Sequence, residues 1–382
     1  MASTALVTGG AGFIGSHLVD ALVAKGYRVR VLDNLLEQAH PRGAPPWLNP
    51  HAELVIGDLR DHGAVDRALA GVEIVFHQGG IVGNGQSMFD IRRYMDINSV
   101  GTATLIEALL SRADRIRRFI VASSMVVYGD GAYLCPEHGQ VSRVVRPEHR
   151  LRSSRWEPIC TSCGAEVAPV PTREDHTLAP TSTYGISKRD QEELSLVQGR
   201  AHGLPTIALR YLNVYGSRQS LSNPYTGVAA IIAARLLNGR APTIFEDGRQ
   251  RRDFCHVSDV VEANLAAAVA PDNALYESYN IGTGQSIEVL ELARMLARRL
   301  GREEVPIAPC GEFRDGDIRH CFADVSKAKR LLGWRAKVSV EQGLSELAGW
   351  AAGERPEDRT EWANAELRAK GLIRGAGTGS GP

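Results

Sequence analysis

The sequence lacks a net charge, a long apolar run and a cysteine-rich framework, and each absence excludes a class of protein. Its 44 basic and 44 acidic residues cancel, so no overall basic field favours nucleic acid or an anionic membrane surface. No apolar run reaches the roughly 20 residues that a membrane-spanning helix needs. Six cysteines in 382 residues are too few for a disulfide framework. We therefore expect a globular protein with no nucleic-acid or membrane partner, in a reducing compartment such as the cytoplasm.

The N-terminal stretch MASTALVTGG also lacks the basic segment and the small-residue cleavage site of a secretory signal peptide. It leads directly into an apolar strand pattern, so we expect no signal peptide. The hydrophobic content of 43% and the charged content of 23% are those of an ordinary globular chain.

What the sequence does contain is a strand–helix alternation over its first 125 residues. Apolar runs that end in small or polar residues are separated by helix-length segments, and these runs are TALVTG, YRVRVLD, AELVIGD, EIVFHQG and RFIVASS. Ile14, Leu18 and Leu22 recur at helical spacing, and this helix should end near Gly26. The alternation predicts an α/β fold with a Rossmann-like, doubly wound parallel sheet, whose ligands lie beyond the carboxyl ends of the strands.

A glycine triplet stands between the first predicted strand and the first predicted helix. TGGAGFIG spaces Gly9, Gly12 and Gly15 three apart, which lets backbone N–H groups approach a pyrophosphate where a Cβ would intervene. Asp33 ends the second strand, where a carboxylate accepts a hydrogen bond from a ribose 2′-hydroxyl and repels a 2′-phosphate. The pattern predicts a dinucleotide site that prefers NAD to NADP. Asp58, at the end of the third strand, is a candidate adenine contact or a turn residue.

Tyr184 and Lys188 are spaced four apart at the start of a predicted helix, so their side chains share one face. A tyrosine is a poor base at its ordinary pKa, and we expect the nearby ammonium, aided by the positive charge of the cofactor, to lower that pKa. Ser124 follows a predicted strand at the ligand edge of the sheet, where it can hydrogen-bond a reacting oxygen. The alternatives are a solvated lysine and a serine that caps the strand end.

These features resemble the extended short-chain dehydrogenase/reductase family, in particular its nucleoside-diphosphate-sugar (NDP-sugar) epimerases and dehydratases. The resemblance covers about residues 3–350 apart from an insertion, and it includes YMDINSVGT, RYLNVYG, RRDFCHVSDV and RDGDIRH. It implies that Ser124, Tyr184 and Lys188 carry out hydride chemistry on a nucleotide sugar. The expected cofactor contacts are Gly9, Gly12, Phe13, Ile14, Gly15, Asp33, Asp58, Leu59, Asn98, Tyr184 and Lys188. The expected substrate contacts are Ser124, Met125, Tyr184, Asn213, Arg218, Arg252, Arg314 and Asp317.

The segment after Ser124 distinguishes between the reactions of this family. The resembling 4,6-dehydratases have an Asp-Glu pair there, UDP-glucuronate decarboxylases have a Glu, and enzymes that epimerise next to the ketone have a cysteine. This chain has Met125 and Val126, neither of which can transfer a proton. The resemblance therefore implies 4-epimerisation, in which C4 is oxidised to a ketone and the hydride returns to its opposite face. His77, Glu174 and His176 are alternative bases, for which we favour structural roles.

The second unusual feature is a pair of cysteine-bearing turns. Cys135 and His138 are spaced like Cys160 and Cys163, and Gly139 and Gly164 follow directly. Four such ligands suit a closed, tetrahedral and therefore structural Zn²⁺ site. The alternatives are a loop without metal, a catalytic zinc and a nucleic-acid-binding ribbon. The last would use the arginines of the insertion, which are Arg143, Arg146, Arg150, Arg152 and Arg155.

Because the insertion lies between Ser124 and Tyr184, we expect it to emerge beside the sugar pocket and to form a wall, a lid or a dimer contact. Its paired turns, with LSNPYTGV, FEDG and GDIRHCFAD downstream, resemble a zinc-ribbon subgroup of the family that is assigned as dTDP-L-rhamnose 4-epimerases. That resemblance implies conversion of dTDP-L-rhamnose to dTDP-6-deoxy-L-talose. UDP-glucose and UDP-glucuronate remain alternative substrates. A 4-keto reductase that uses NADPH and a non-catalytic NAD-sensing protein remain alternative functions.

We expect the chain to be organised in five segments. They are the NAD-binding domain at 1–129, the zinc-ribbon insertion at 130–178, the return to the NAD-binding domain at 179–216, a smaller substrate lobe that takes up most of 217–352, and a disordered tail at 353–382. The resemblance also implies a homodimer, formed through the helix after Asn98 and the helix that starts at Tyr184.

Overall fold

A computed structural model describes residues 3–141 and 143–375 of the chain. Its strands are β1 (Thr4–Thr8), β2 (Arg28–Asp33), β3 (Glu53–Ile56), β4 (Ile74–His77), β5 (Arg118–Ser124), β6 (Tyr133–Cys135), β7 (Gly139–Val141), β8 (Val144–Val145), β9 (Ile159–Cys160), β10 (Ala168–Pro169), β11 (Thr206–Tyr211), β12 (Asn213–Tyr215), β13 (Arg251–Arg252), β14 (Phe254–His256), β15 (Glu277–Ile281), β16 (Ile287–Glu288), β17 (Glu312–Arg314), β18 (His320–Cys321) and β19 (Ile373–Gly375). Its α-helices are α1 (Phe13–Ala24), α2 (His62–Leu69), α3 (Asn84–Ser87), α4 (Ile91–Tyr94), α5 (Gly101–Leu110), α6 (Glu148–Arg152), α7 (Thr183–His202), α8 (Val228–Leu237), α9 (Val257–Ala268), α10 (Val289–Leu300), α11 (Ser326–Leu331), α12 (Val340–Ala351) and α13 (Thr360–Ala369).

Seven parallel strands form the central sheet, in the order β15-β11-β5-β4-β1-β2-β3. Every residue of β4 and β11 is buried, as expected for parallel strands covered on both faces. The strand order reverses between β1 and β4, which opens a crevice at their carboxyl ends. The predicted Rossmann-like α/β fold is confirmed.

Helices cover both faces of this sheet. Leu18 and Leu22 of α1 share one apolar cluster with Val260 of α9, whereas Leu69 of α2 and Leu105 of α5 share the cluster on the other face. Burial of each leucine contributes about 1.5–3 kcal/mol, so these stripes fix how the helices sit on the sheet. Of the helices in 3–141 and 143–375, none is long and apolar enough to cross a membrane.

The smaller lobe is built from α8, α10 and α12 around its own apolar cluster. Within residues 217–352, which we predicted to form mainly this lobe, two elements return to the central sheet. Strand β15 pairs with β11 as the edge of the central sheet, and α9 packs with α1. Both elements are apolar enough to join the larger core, and the mixed pattern after residue 217 concealed this return.

The insertion consists of short antiparallel strands, with one sheet in the order β10-β6-β7 and a separate β8-β9 pair. Cys135 ends β6 and pairs with Gly139 across a tight turn that contains His138. Gly139 and Gly164 have φ of +67° and +74°, a region that glycine enters without a Cβ penalty.

The expectation of a disordered tail is wrong for residues 360–375. These residues form α13 and β19, and β19 pairs antiparallel with β17. Ala363 and Leu367 are buried, so the helix has an apolar stripe that a polar average concealed. Residues 376–382, which fall under the same expectation, lie outside the described part of the chain.

Candidate active site

The glycine turn between β1 and α1 has no room for side chains. A Cβ on Gly15 would lie 2.2 Å from the carbonyl oxygen of Gly9, and a Cβ on Gly9, where φ is +67°, would lie 2.7 Å from the Cα of Gly79. Gly12 precedes α1 and no side chain caps the helix. The first N–H groups of α1 are thus free of side-chain caps, and the turn fits the pyrophosphate of a dinucleotide.

Two carboxylates follow the neighbouring strands. Asp33 accepts hydrogen bonds from the backbone N–H groups of Ala11 (3.0 Å) and Leu35 (2.9 Å), which fixes its carboxylate beside the glycine turn. Asp58 is bound by Arg60, and this pairing holds the pKa of Asp58 well below its ordinary range. Both line the cleft and both also organise their own turns, so the structure shows the turn role of Asp58 and its adenine contact stays a prediction.

One cleft of about 890 Å³ runs from the glycine turn to the smaller lobe. It collects every expected cofactor and substrate residue except Asn98, namely Gly9, Gly12, Phe13, Ile14, Gly15, Asp33, Asp58, Leu59, Ser124, Met125, Tyr184, Lys188, Asn213, Arg218, Arg252, Arg314 and Asp317. The topology of the sheet therefore brings together groups that are up to 308 residues apart in the sequence.

Asn98 differs from its expected role as a cofactor contact. Its side chain is fully buried; its Oδ1 accepts from Ile81 N (2.8 Å), and its Nδ2 donates to Ile81 O (3.1 Å) and to Ser187 Oγ (2.9 Å). These bonds tie the loop after β4 to α7. Asn98 therefore supports the wall of the cleft and does not face it.

Tyr184 lies in the first turn of α7. Ser182 caps the N-terminus of this helix, because its Oγ accepts a hydrogen bond from Gly185 N (3.1 Å). Its backbone N–H donates to Ser87 Oγ (3.0 Å). Burial raises the pKa of Tyr184 to about 12, and a hydrogen bond to the Ser124 side chain partly offsets this rise. Ser124 ends β5, so the sheet and α7 deliver the two hydroxyls to one point.

Lys188 is buried one helical turn along α7. Its Nζ donates to Gln191 Oε1 (2.7 Å) and to the carbonyl of Ala122, and burial lowers its pKa to about 7. The expected lowering of the Tyr184 pKa by Lys188 is therefore not what the protein alone produces. Desolvation outweighs attraction because the low dielectric penalises both charged forms.

The two residues after Ser124, which cannot transfer a proton, face the cleft. Met125 and Val126 line the cleft beside Ser124. The buried ring of His77 is bonded to Thr8 Oγ1 (2.7 Å) and to Thr102 Oγ1 (2.9 Å), which is a structural role.

The two other alternative bases are also engaged elsewhere. Glu174 Oε1 accepts from Asn280 N (2.9 Å), and the ring of His176 lies 6.1 Å from that of Tyr128. Neither they nor His77 are among the described residues that line the cleft.

At the far end of the cleft, Arg314 lies over the ring of Phe245 (4.4 Å) and its Nε donates to Asp317 Oδ2 (2.8 Å). Arg252 donates to the backbone carbonyls of Ile318 and Arg319. Two guanidinium groups and a carboxylate thus converge, a set that suits a diphosphate and a ribose.

Two further expected substrate residues are held differently. Arg218 is paired with Asp20 of α1 (2.7 Å), so it lies on the cofactor side of the cleft. Asn213 Oδ1 is buried without a hydrogen-bond partner among the described residues, which leaves it available to a ligand.

The contribution of the C-terminal helix was missed from the sequence. Thr360 and Asn364 of α13 line the cleft, and Tyr225 donates to Glu366 (2.9 Å) from the smaller lobe. The only local indication was the four-residue spacing of Ala363 and Leu367, which the surrounding polar residues obscured.

The four predicted zinc ligands lie together at the tip of the insertion. Their ligand atoms are all within 4.8 Å of one another, with Cys135 Sγ at 3.6 Å from Cys163 Sγ and 3.5 Å from His138 Nδ1. Thiolates around a tetrahedral Zn²⁺ at 2.3 Å stand about 3.8 Å apart, so the donors and their spacing fit that ion.

Comparisons with known proteins agree with this geometry. A model described as the NAD dependent epimerase/dehydratase family matches residues 5–148 and 159–282. A dTDP-L-rhamnose 4-epimerase of Burkholderia thailandensis is 36% identical over 354 residues, which cover 91% of this chain and 95% of that protein.

Two solved structures are similar in fold. The UDP-glucose 4-epimerase of Thermotoga maritima with UDP-glucose is 34% identical, with a TM-score of 0.73 over 91% of this chain and 98% of that one. The Thermus thermophilus UDP-glucose 4-epimerase complex with NAD is 29% identical, with a TM-score of 0.73 over 92% of this chain and 100% of that one.

Proposed function

Because the chain belongs to the NAD dependent epimerase/dehydratase family, we propose that it is an isomerase that uses NAD to invert C4 of a nucleoside-diphosphate sugar. The observation that carries this proposal is the pairing of Ser124 with Tyr184 in a cleft where Met125 and Val126 follow. The first pair suits proton removal at a sugar hydroxyl. The second offers no acid or base for elimination, decarboxylation or inversion at a neighbouring carbon.

The residues divide the reaction between them. Bound NAD⁺ supplies the hydride acceptor and a positive charge to the cleft. Tyr184 takes the proton of the 4-hydroxyl and later returns it, while Ser124 hydrogen-bonds the same oxygen. Lys188 is the contact that we expect for the cofactor. The side chains of Met125 and Val126 carry no charge that would hold the 4-keto sugar, so it can turn before hydride returns to its opposite face.

For the substrate we propose dTDP-L-rhamnose, converted to dTDP-6-deoxy-L-talose. The similarity to the Burkholderia thailandensis enzyme supports this choice. The resemblance of the paired cysteine-bearing turns to a zinc-ribbon subgroup of the family supports it as well. UDP-glucose is the second candidate, because the Thermotoga maritima neighbour was solved with it. UDP-glucuronate is a third.

Two other functions fit less well. A 4-keto reductase would consume NADPH, and the fixed carboxylate of Asp33 disfavours a 2′-phosphate. A non-catalytic NAD-sensing protein would not need both Tyr184 and Lys188, which here line the same cleft as Ser124.

We also propose a structural zinc held by Cys135, His138, Cys160 and Cys163, since four protein ligands leave no open position. A reducing compartment such as the cytoplasm would keep these thiols available. The dimer that we propose uses α5 and α7; exposed apolar side chains on or next to these helices support it, namely Val100, Ile186 and Val197.

The test uses purified protein with no added cofactor, incubated separately with dTDP-L-rhamnose, UDP-glucose and UDP-glucuronate. Proton NMR should show a new 4-epimer in the first tube that approaches an equilibrium ratio. Conversion of a UDP sugar alone would transfer the proposal to that substrate. No conversion in any tube, with NAD and zinc shown to be present, would contradict the proposed reaction.

A further inference from the structure

A buried ionic cluster joins the insertion to the smaller lobe. Arg319 is fully buried, and its guanidinium donates to Glu157 (2.6 Å), Glu246 (2.8 Å) and Asp247 (2.6 Å). Arg146 pairs with Glu246 as well. Two of the five members, Arg146 and Glu157, come from the insertion, so a surface loop supplies groups to the interior of another lobe.

The insertion also contacts the chain segment 313–319 near both of its ends. Arg146 Nη1 donates to the carbonyl of Asp317 (3.2 Å), and Trp156 packs on Phe313 with ring centroids 6.3 Å apart. These contacts hold backbone as well as side chains. The position of segment 313–319 therefore depends on the insertion.

That segment carries the proposed nucleotide contacts. Arg314 and Asp317 belong to it, and Arg252 donates to the carbonyls of its last two residues. Phe245, on which Arg314 lies, immediately precedes Glu246 of the cluster. The positions of Arg252, Arg314 and Asp317 at the diphosphate end of the cleft therefore depend on the ionic cluster.

The proposed metal site is connected to the ionic cluster through the short strands β8 and β9. Glu157 precedes β9, whose last residue is the ligand Cys160, and β9 pairs with β8 shortly before Arg146. A metal that fixes Cys160 therefore fixes the backbone that presents both Glu157 and Arg146.

We propose that Arg146 and Glu157 are positioning residues for the nucleoside-diphosphate end of the substrate, so that the metal-bearing insertion sets nucleotide affinity and does not act as a lid over the sugar. This inference rests on the proposed function, since it takes Arg252, Arg314 and Asp317 as nucleotide contacts. By linkage, nucleotide binding must in turn stabilise the insertion.

The test compares wild type with Glu157→Gln and Arg146→Lys. Glu157→Gln removes one of three carboxylates and leaves two arginines opposite Glu246 and Asp247, so every remaining charge of the cluster has a partner and the fold should persist. The matched control is Arg155→Met, because Arg155 also lies on the insertion and pairs with an acid, Glu166, but is exposed. Titration calorimetry with dTDP and with UDP gives the nucleotide Kd, and NAD content and melting temperature are measured in parallel.

We expect both cluster variants to weaken the tighter-binding nucleotide about tenfold, as for loss of a charge-assisted hydrogen bond. NAD content should stay unchanged, and the loss should fall on KM more than on kcat. Arg155→Met should behave as wild type. A nucleotide Kd in Glu157→Gln and Arg146→Lys equal to that of wild type would overturn the inference.

A second measurement follows zinc release to a chromogenic chelator from zinc-loaded protein. Saturating dTDP or UDP should slow release in wild type and in Arg155→Met, and should have little effect in Glu157→Gln. Equal slowing in all three would contradict the coupling. Nucleotide binding without turnover of any sugar would refute the proposed reaction and leave this inference standing, whereas a wild type that binds neither nucleotide would refute both.

Discussion

The central sheet and the insertion hold their functional groups in opposite ways. The sheet places Ser124 and Asp33 at the ends of parallel strands that are paired along their length and buried on both faces. The insertion has strands of two or three residues and an apolar cluster centred on Tyr133 and Val167. We therefore expect its shape to depend on buried ion pairs and on the proposed metal at the four clustered cysteine and histidine side chains. The position of a residue on the sheet therefore follows from the local strand pattern. The position of a residue on the insertion depends on contacts with segments that are distant in the sequence.

The strongest test of the sheet side of this comparison is Tyr184→Phe. Because the variant keeps the ring and loses the proton-transfer group, turnover should fall about 1,000-fold or more. NAD should remain bound, since the glycine turn is untouched. The measurement is epimerisation by NMR together with NAD content, with Tyr27→Phe as the control away from the cleft. Near-normal turnover would refute the catalytic role of Tyr184.

Gly15→Ala tests whether NAD binding requires the tight glycine turn at the end of β1. The new Cβ would collide with the backbone of Gly9, so the turn must shift and its backbone N–H groups would move away from the pyrophosphate. We expect protein purified without NAD. Gly349→Ala on α12 is the matched control, because a Cβ there meets nothing within 4 Å. It should gain about 0.5–1 kcal/mol of stability and keep its NAD.

Cys160→Ser tests the ribbon side. We expect loss of zinc, earlier proteolysis within 130–178 than elsewhere, and about tenfold weaker nucleotide binding with NAD retained. Zinc content, peptide mass mapping and calorimetry check these three effects. Cys310→Ser is the control, since Cys310 is an exposed free thiol outside the metal cluster. Zinc loss with normal stability and normal nucleotide binding would show that the ribbon does not need its metal.

The last prediction concerns stability and not activity, at Lys188. Burial lowers its pKa to about 7 from an ordinary 10.5, so between these values the unfolded chain binds more protons than the folded one. Stability should therefore rise with pH across this window, and the cost of burying the ammonium is fully present below pH 7. Lys188→Met should be stabilised relative to wild type at pH 6.5 by more than at pH 9.5.

Urea unfolding at the two pH values measures this difference. Lys25→Met, at the end of α1, is the control and should show the same small effect at both. An unchanged pH dependence in Lys188→Met would mean that the folded protein keeps the pKa of Lys188 near its ordinary value, so that burial does not lower it.

The predictions from sequence succeeded where local pattern determines position. Gly9, Gly12 and Gly15 stand between a strand and a helix, and Tyr184 and Lys188 share one helical face, because neighbours in sequence fix both arrangements. The convergence of Cys135 and Cys160 also followed from spacing, since paired ligands have few ways to meet.

The predictions failed where position depends on distant partners. α13 is polar on average and is held by contacts such as that of Tyr225 with Glu366, which no local window reveals. The sequence alone does not distinguish Arg319 from a surface arginine, because its burial depends on Glu157 and Glu246, which are distant in the sequence. The high pKa of Tyr184 likewise follows from burial, which the motif does not specify.

The central claim is that hydride leaves C4 and returns to C4. The most direct measurement uses whichever of the three nucleotide sugars is converted, labelled with deuterium at C4 and incubated in ordinary water with purified protein. NMR and mass spectrometry should find the full label at C4 of both epimers, because the label never reaches solvent. Epimerisation with loss of deuterium to water would contradict the account, since it would mean that C4 exchanges a proton with solvent and does not pass a hydride to the cofactor and back.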